Sequence, residues 1–133
     1  METPHFAAAI TAFVTALDGR MATGITSFPD LFQDDAVIDV PFDGDGEPAP
    51  IVGRQSIEEM AASLEGFLWF DEVTFHALRA TDDPSVLVGE YEAVLRRADR
   101  PGRLRRRYIS VITIRDGRIS HLVEYGGPFM AVG

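Results

Sequence analysis

Cysteine and lysine are both missing from this chain of 133 residues, and all 12 of its basic residues are arginine. Without cysteine, the protein has no disulfide, no zinc–thiolate or iron–sulfur site and no thiol nucleophile. Without lysine, it has no side-chain amine that can form a Schiff base. These two absences exclude several kinds of covalent and metal chemistry before any motif is considered.

Long apolar runs and a positively charged N-terminus are missing as well. The sequence contains no run of 18 apolar residues, and its first 20 residues include Glu2 and Asp18 but no basic residue before Arg20, unlike a secretory signal. The net charge of −9 argues against nucleic acid and anionic membranes as partners. We therefore expect a cytoplasmic protein that forms a single domain over residues 1–133.

Apolar spacing predicts three helices in the N-terminal half. The first covers residues 6–17, where apolar side chains recur at steps of four and three residues. The second covers residues 21–32, and Pro29 shortens or kinks it. The third begins at the capping box Ser56–Glu59 and ends at Gly66.

The remaining segments predict strands joined by turns. A short strand is expected at residues 36–42, and four longer ones near residues 70–80, 85–96, 103–115 and 118–125. The turns fall at Asp82–Pro84, Asp99–Gly102 and Asp116–Gly117. The acidic tract at residues 43–50 is predicted to be a solvated loop, and its spacing does not fit a calcium loop, so we predict no metal site.

This order of elements predicts an α+β fold. Strands are grouped at the end of the chain, after the helices, which is typical of α+β rather than α/β proteins. A curved antiparallel sheet wrapped on the three helices forms a cone with an open mouth. Concave mouths of this kind are common ligand sites, so we expect a small hydrophobic ligand inside the cone.

The motifs resemble those of the nuclear transport factor 2-like, SnoaL-like superfamily. The resemblance rests on Asp34–Val37, on Gly53–Arg54 before the third helix, and on Ile112–Ile119. Within it the chain is most similar to phenazine-biosynthesis A/B-type proteins, through Trp69–Phe70, Thr81–Pro84, Glu90, Asp116–Ile119 and Glu124–Tyr125. The resemblance implies a cystatin-like α+β barrel. It also implies either a cofactor-free enzyme or a module that only binds or dimerises, because this fold hosts both.

Family positions carry over only in part. Residues Phe13, Val40 and Ser110 stand where ketosteroid-isomerase relatives have their Tyr and two Asp groups. Asp39 precedes Val40, which stands at the position of the catalytic base in those relatives. Neighbouring residues of a strand point to opposite faces, so Asp39 is predicted to lie outside the pocket. Met60 stands where phenazine-type members have a His, whereas their Glu is present as Glu124. The Asp of SnoaL-type cyclases falls near Gly127.

Glu124 is therefore the first candidate for general acid–base catalysis, because a carboxyl in an apolar pocket holds or releases a proton near neutral pH. Tyr108 and Arg106 share a strand face with Ser110, so Tyr108 could donate to a substrate oxygen and Arg106 could hold a carboxylate. The alternative for Glu124 is a solvated carboxylate paired with an arginine.

Two further candidates have equally simple structural alternatives. Glu90 and Glu92 share a face with Val86 and Val88, and are either acid–base groups or partners of cross-strand arginines. His76 is either an acid–base group or a structural histidine. His121 has the opposite parity from Glu124, so only one of the two faces the pocket unless a bulge intervenes.

Apolar residues around these groups are predicted to bind the substrate. With Arg106 and Ser110, the predicted lining consists of Phe13, Val40, Phe42, Met60, Trp69 and Ile112. The same residues could simply form core. Seven arginines between residues 96 and 107 are interpreted as a solvated hairpin that pairs with acidic residues.

These observations predict a cofactor-free isomerase or cyclase, for instance a polyketide cyclase of specialised metabolism, that acts on a hydrophobic oxygenated metabolite. Glu124 would be the acid or base, assisted by Tyr108, Glu90 or His76. One alternative is a non-catalytic binding or dimerisation module. Another is an epoxide or ester hydrolase, which needs Glu90 and Glu124 to face each other. The resemblance also implies a homodimer through the outer face of the sheet.

Overall fold

A computed structural model describes residues 4–42 and 49–132. In these residues it has two α-helices, α1 (Ala7–Ala16) and α2 (Arg54–Leu64). The strands are β1 (Phe32–Asp39), β2 (Ile51–Val52), β3 (Leu68–Ala80), β4 (Val86–Arg97), β5 (Arg100–Arg115), β6 (Arg118–Gly126) and β7 (Met130–Ala131). Most of the predicted acidic loop, residues 43–48, lies outside the described residues.

The strands form one curved, unclosed sheet in the order β2-β1-β6-β5-β4-β3, and β7 pairs with β5. The α+β prediction is confirmed, and the four long strands lie where the sequence places them. The sheet is mixed, however, because β1 pairs with β6 in parallel, Ile38 opposite Leu122. The expectation of a purely antiparallel sheet is therefore wrong at this one pairing.

The second predicted helix, over residues 21–32, does not form. This segment contains only a 3₁₀ turn at Pro29–Leu31, and β1 begins at Phe32. Gly24 has a φ of +80°, outside the helical region, and Pro29 lacks the N–H that a helix interior needs. The apolar side chains pack without a helix, as the Phe28 ring does when it stacks on Phe6 at 4.3 Å.

Turn chemistry fixes the hairpins of the large sheet. Asp116 and Gly117 have φ values of 52° and 77°, as a two-residue type I′ turn requires.

The β4–β5 turn is displaced from its predicted position. Arg97 pairs with Arg100, and Arg96 pairs with Arg103, so Pro101 and Gly102 form a bulge inside β5. Proline is tolerated there because a bulged residue makes no ladder hydrogen bond.

Helix α1 covers the concave face of the sheet. Its apolar stripe is buried, including Ile10 and Phe13. On β4, side chains alternate between buried positions that face the helices and half-exposed positions that face away. We call these the inner and outer faces of the sheet; Tyr91 belongs to the inner face and Glu92 to the outer face.

Candidate active site

A cavity of about 700 Å³ lies between the helices and the inner face of the sheet. Its walls are mostly aliphatic and aromatic. The charged groups among its described lining residues are Arg97, Arg106 and Glu124, and two tyrosines, Tyr91 and Tyr108, also line it. The cavity therefore combines a broad apolar surface with a small polar group of residues, as is typical of small-molecule sites.

The polar residues are brought together by the register of β4, β5 and β6. Tyr91 lies opposite Tyr108, and Ser110 lies opposite Glu124. Residues directly opposite in neighbouring strands point to the same face. Four side chains from three strands therefore meet on the inner face, next to the cavity.

A hydrogen-bonded chain links three of these side chains. The Tyr91 hydroxyl donates to Oε1 of Glu124 at 3.1 Å. The Tyr91 oxygen also lies 2.7 Å from Oγ of Ser110. Because a phenol has one proton and Tyr91 gives it to Glu124, we assign Ser110 as the donor to Tyr91. The fully buried Ser110 thus orients Tyr91, which in turn fixes one oxygen of Glu124.

Aromatic packing holds Tyr91 in place. Its ring is stacked between those of Phe75, at 4.7 Å, and Tyr108, at 5.1 Å. The ring of Phe13 meets it edge-on at 5.4 Å. Offset stacks and edge-to-face pairs are the favoured aromatic geometries, so the phenol has little freedom to turn away from Glu124.

Burial strongly raises the pKa of Tyr91 above its usual value of 10, and the negative charge of Glu124 adds to this effect. Tyr91 therefore stays protonated at neutral pH and remains a hydrogen-bond donor. Tyr91 can therefore donate a hydrogen bond to one oxygen of a negatively charged Glu124 without transferring its proton to that carboxylate.

This raised pKa predicts a loss of stability at alkaline pH. Below about pH 10, Tyr91 is protonated in both states and its contribution is fully present. Above that, the unfolded state releases the proton first, so the free energy of unfolding falls by about 1.4 kcal/mol per pH unit until the folded pKa is reached. Urea unfolding between pH 8 and 11 measures this slope. Tyr91→Phe should lack it and Tyr125→Phe should keep it; equal slopes in both variants would contradict the assignment.

Arg106 lies at the other end of the polar group. Its guanidinium carbon is 5.0 Å from the ring centre of Tyr108 and 4.4 Å from that of Phe129, and its Nε donates to the carbonyl oxygen of Gly127 at 2.8 Å. The guanidinium also crosses Gly126, where a Cβ atom would overlap it. Arg106 is thus fixed along the cavity wall, between the large sheet and the C-terminal segment.

Most of the residues predicted for the site do line the cavity. Those that contact it are Glu124, Tyr108, Arg106, Phe13, Val40, Phe42 and Met60. Ser110 and Ile112 are fully buried in the sheet and are absent from the lining of this cavity. Ser110 contributes through Tyr91, and Ile112 is core.

Three predicted site residues lie on the outer face and are corrected here. Glu90 pairs with Arg79 at 2.9 Å. His76 lies 4.0 Å from Glu92, and the Trp69 ring lies under Arg96. Strand alternation explains these positions. In each case an adjacent residue of the chain faces inward instead. These residues are Phe70 beside Trp69, Phe75 beside His76, and Gly89 and Tyr91 beside Glu90.

Asp39 lies outside the cavity, as its parity predicts. Its Oδ2 is 2.7 Å from Nε2 of His121, on the outer face. His121 and Glu124 therefore do face opposite sides of the sheet. Tyr91 is a cavity residue that the sequence analysis missed. It alternates with Glu90 and Glu92, so its parity places it in the cavity only once those two residues are known to face outward.

The described residues offer no group of three or more His, Asp or Glu side chains placed to bind a metal ion. In the same part of the chain, none of the helices is both long enough and apolar enough to cross a membrane. The ionisable side chains among the described lining residues are one carboxylate, two phenols and two guanidinium groups.

Comparison with known proteins agrees with this architecture. The SnoaL-like domain family matches residues 10–122. YesE of Bacillus subtilis (strain 168), an uncharacterised protein, is 25% identical over 104 residues, which are 78% of this chain and 71% of YesE.

Solved structures share the fold. A candidate isomerase from Bacillus subtilis has a TM-score of 0.68 and 25% identity, covering 76% of this chain and 73% of its own. A phenazine biosynthesis-related protein from Pseudomonas aeruginosa has a TM-score of 0.59 and 20% identity, covering 74% and 66%. Other structures of this fold are named as candidate polyketide cyclases and as an epoxide hydrolase. The resemblance seen in the sequence motifs is confirmed, and the chain belongs to the SnoaL-like domain family.

Proposed function

We propose that this protein is a cofactor-free isomerase or cyclase that acts by acid–base catalysis on a hydrophobic, oxygenated metabolite. The observation that carries the proposal is the hydrogen bond from Tyr91 to Glu124 at the wall of an apolar cavity. A carboxylate oriented in this way is suited to remove a proton from carbon next to a carbonyl group. Structural neighbours named as candidate isomerases and polyketide cyclases give further support.

The proposed reaction needs only groups of this chain. Glu124 takes the proton from the carbon next to the substrate carbonyl, and the electron pair moves onto the carbonyl oxygen. Tyr108 donates a hydrogen bond to the resulting enolate oxygen, which lowers the barrier most strongly in a water-poor site. When a carbon–carbon double bond adjoins the carbon that lost the proton, the electron pair extends over a dienolate. Glu124 then returns the proton to the far carbon of that double bond, which gives an isomer. In a cyclisation, the enolate carbon instead attacks a second carbonyl of the same molecule, whose oxygen takes the proton.

The cavity supports a ligand of moderate size. A volume of about 700 Å³ falls within the usual range for small-molecule sites. Aromatic rings of Phe13 and Phe70 line it, so a flat or ring-containing substrate would bury most of its apolar surface. The polar end of the substrate would then meet Tyr108, Glu124 and Arg106.

The hydrolase alternative loses its sequence-based support. It required Glu90 and Glu124 to position a water together, and these residues lie on opposite faces of the sheet. The binding-module alternative shares the cavity and differs only in catalysis, so a rate measurement separates it from the enzyme. Cytoplasmic location, a role in specialised metabolism and a homodimer through the outer face stay predictions.

Exchange of ketone α-protons tests the proposal without knowledge of the natural substrate. We expect the protein to accelerate deuterium uptake by 2-indanone and 2-tetralone in D₂O, followed by proton NMR, by at least about tenfold over the same concentration of acetate. The rate should saturate with ketone concentration. Binding of both ketones without any acceleration over acetate would contradict catalysis and favour a binding module.

A further inference from the structure

We propose that Phe129 limits the length of the substrates that the cavity accepts, and that a β-bulge in the C-terminal segment turns its ring inward for this role. The proposal rests on the function proposed above and deepens it by naming the shape of the substrate. It is a compact ketone of about two fused rings, without a long extension at the end away from its carbonyl group. Phe129 sets specificity and takes no part in the proton transfer.

The C-terminal segment, residues 126–132, contains one residue more than the part of β5 that it pairs with. Tyr108 pairs with Gly126, and Arg105 pairs with Met130. Two residues of β5 lie between these pairs, whereas residues 127–129 of the C-terminal segment make three. An extra residue of this kind is a β-bulge, which redirects a side chain at the edge of a site. The segment includes a proline, which a bulge tolerates.

The bulge determines the side of the sheet on which Phe129 lies. Glu124 and Gly126 face the cavity, so strict alternation would point Phe129 outward and Met130 inward. The structure has the reverse arrangement. Phe129 lines the cavity, whereas Met130 is 58% exposed and is not among the described lining residues. The extra residue therefore adds an aromatic ring to the cavity wall.

Two guanidinium groups hold the Phe129 ring in this position. The guanidinium carbons of Arg97 and Arg106 are 4.6 and 4.4 Å from its centre. Arg97 is itself fixed, because it donates to both oxygens of Asp99 at 2.9 and 2.8 Å and lies 5.4 Å from the ring centre of Phe67. A ring held by two cation–π contacts cannot turn aside for a ligand without losing them. Phe129 is therefore a fixed part of the wall.

The register of β5 gives the distance between Phe129 and the proposed base. Ser110 lies opposite Glu124, and Arg106, which lies opposite the bulge, is four residues away on the same strand. Four residues of a strand span about 13 Å. A substrate whose reacting carbon lies at Glu124 has roughly this length of cavity before it meets the Phe129 ring. The two fused rings of 2-tetralone fit within it, whereas a phenyl group at carbon 6 would reach the ring.

The test compares 2-tetralone with 6-phenyl-2-tetralone by isothermal titration calorimetry. We expect the wild-type protein to bind the longer ketone at least about 10-fold more weakly, although its apolar surface is larger, because the phenyl group overlaps with Phe129. Phe129→Ala should reverse the order and bind the longer ketone about 10-fold more tightly than 2-tetralone, since the phenyl group fills the space of the missing ring. Phe129→Leu should give a ratio between these two values.

Met130→Ala is the matched control. It shortens the neighbouring side chain on the same segment, which is exposed and lies outside the described cavity lining. The wild-type preference for 2-tetralone should survive in this variant. The affinity for 2-tetralone shows in each variant whether the cavity is intact, and Phe129→Leu decides by the same ratio if Phe129→Ala no longer binds this ketone.

Three results would contradict the proposal. The first is a wild-type protein that binds 6-phenyl-2-tetralone as tightly as 2-tetralone, or more tightly. The second is a ratio of the two affinities that Phe129→Ala and Phe129→Leu leave at the wild-type value. The third is an equal change of that ratio in Met130→Ala, which would overturn the assignment to Phe129.

This outcome is separate from that of the proposed function, because calorimetry measures binding and needs no turnover. Deuterium exchange into 2-tetralone without selection by length would leave the catalytic proposal standing and remove the role of Phe129. Selection by length without exchange would keep the role of Phe129 and reduce the protein to a binder of compact ketones.

Discussion

The exchange of ketone α-protons is expected to slow by about 100-fold or more when Glu124 is replaced by glutamine. Glutamine keeps the size of the side chain and can still accept a hydrogen bond from Tyr91, but its amide cannot take a proton from carbon. The loss therefore measures base catalysis rather than packing. The measurement is the deuterium exchange rate of 2-tetralone, with the ketone concentration varied so that binding and turnover are separated.

Two other variants locate the effect. Glu90→Gln makes the same chemical change on the outer face, where Glu90 pairs with Arg79, and should leave the rate unchanged. Tyr91→Phe removes the donor to Glu124 and should give a smaller loss, on the order of tenfold, because the carboxylate is present but less well oriented. A Glu124→Gln variant with the wild-type rate would show that another group, or no group, removes the proton.

The side of the sheet on which each candidate lies was largely predictable, because alternation along a strand has a period of two residues. Family positions indicated the inner face for Tyr108 and Arg106 and a place outside the pocket for Asp39, and each lies there. The sequence left the face of Glu124 open, and the structure places it at the cavity. Glu90 and Trp69 were misassigned because the sequence does not say which face of an individual strand meets the helices. The arginines of β5 pair with Glu92, which identifies that face as the outer one only after the strands are in register.

Other features depend on contacts that no local pattern contains. The parallel pairing of β1 with β6 joins segments more than 80 residues apart. The chain of Ser110, Tyr91 and Glu124 needs three strands in one register, and hydrogen bonds of this kind have no sequence spacing. The apolar spacing of residues 21–32 suggested a helix, but burial of Phe28 against Phe6 is achieved by a loop. An apolar pattern therefore predicts that these side chains are buried, but it does not fix the backbone conformation. Gly24 and Pro29 determine which backbone conformations the segment can adopt.

Hydrophobicity alone does not show whether an apolar residue belongs to the core or contacts a ligand. Two phenylalanines that line the cavity allow these two roles to be measured separately. Phe32 is 1% exposed and Phe42 is 72% exposed, although both line the cavity. Phe32→Ala is expected to lower the free energy of unfolding by about 3–5 kcal/mol, a large part of the 5–15 kcal/mol typical of a domain. Phe42→Ala should change it by less than about 0.5 kcal/mol, because a mostly exposed ring contributes little to the core.

Ligand binding should respond in the opposite way. The Phe42 ring tilts against Tyr125 at 5.3 Å and borders the cavity, so a bound ketone would cover part of it. Loss of that contact is expected to weaken 2-tetralone binding by roughly 3- to 10-fold, since partial burial of one ring is worth about 1 kcal/mol. Urea unfolding and calorimetric titration of the two variants give both quantities. If Phe42→Ala leaves the ketone affinity unchanged, the ligand binds deeper than this rim. If it destabilises the fold as much as Phe32→Ala, Phe42 belongs to the core, and the mouth of the cavity must lie elsewhere.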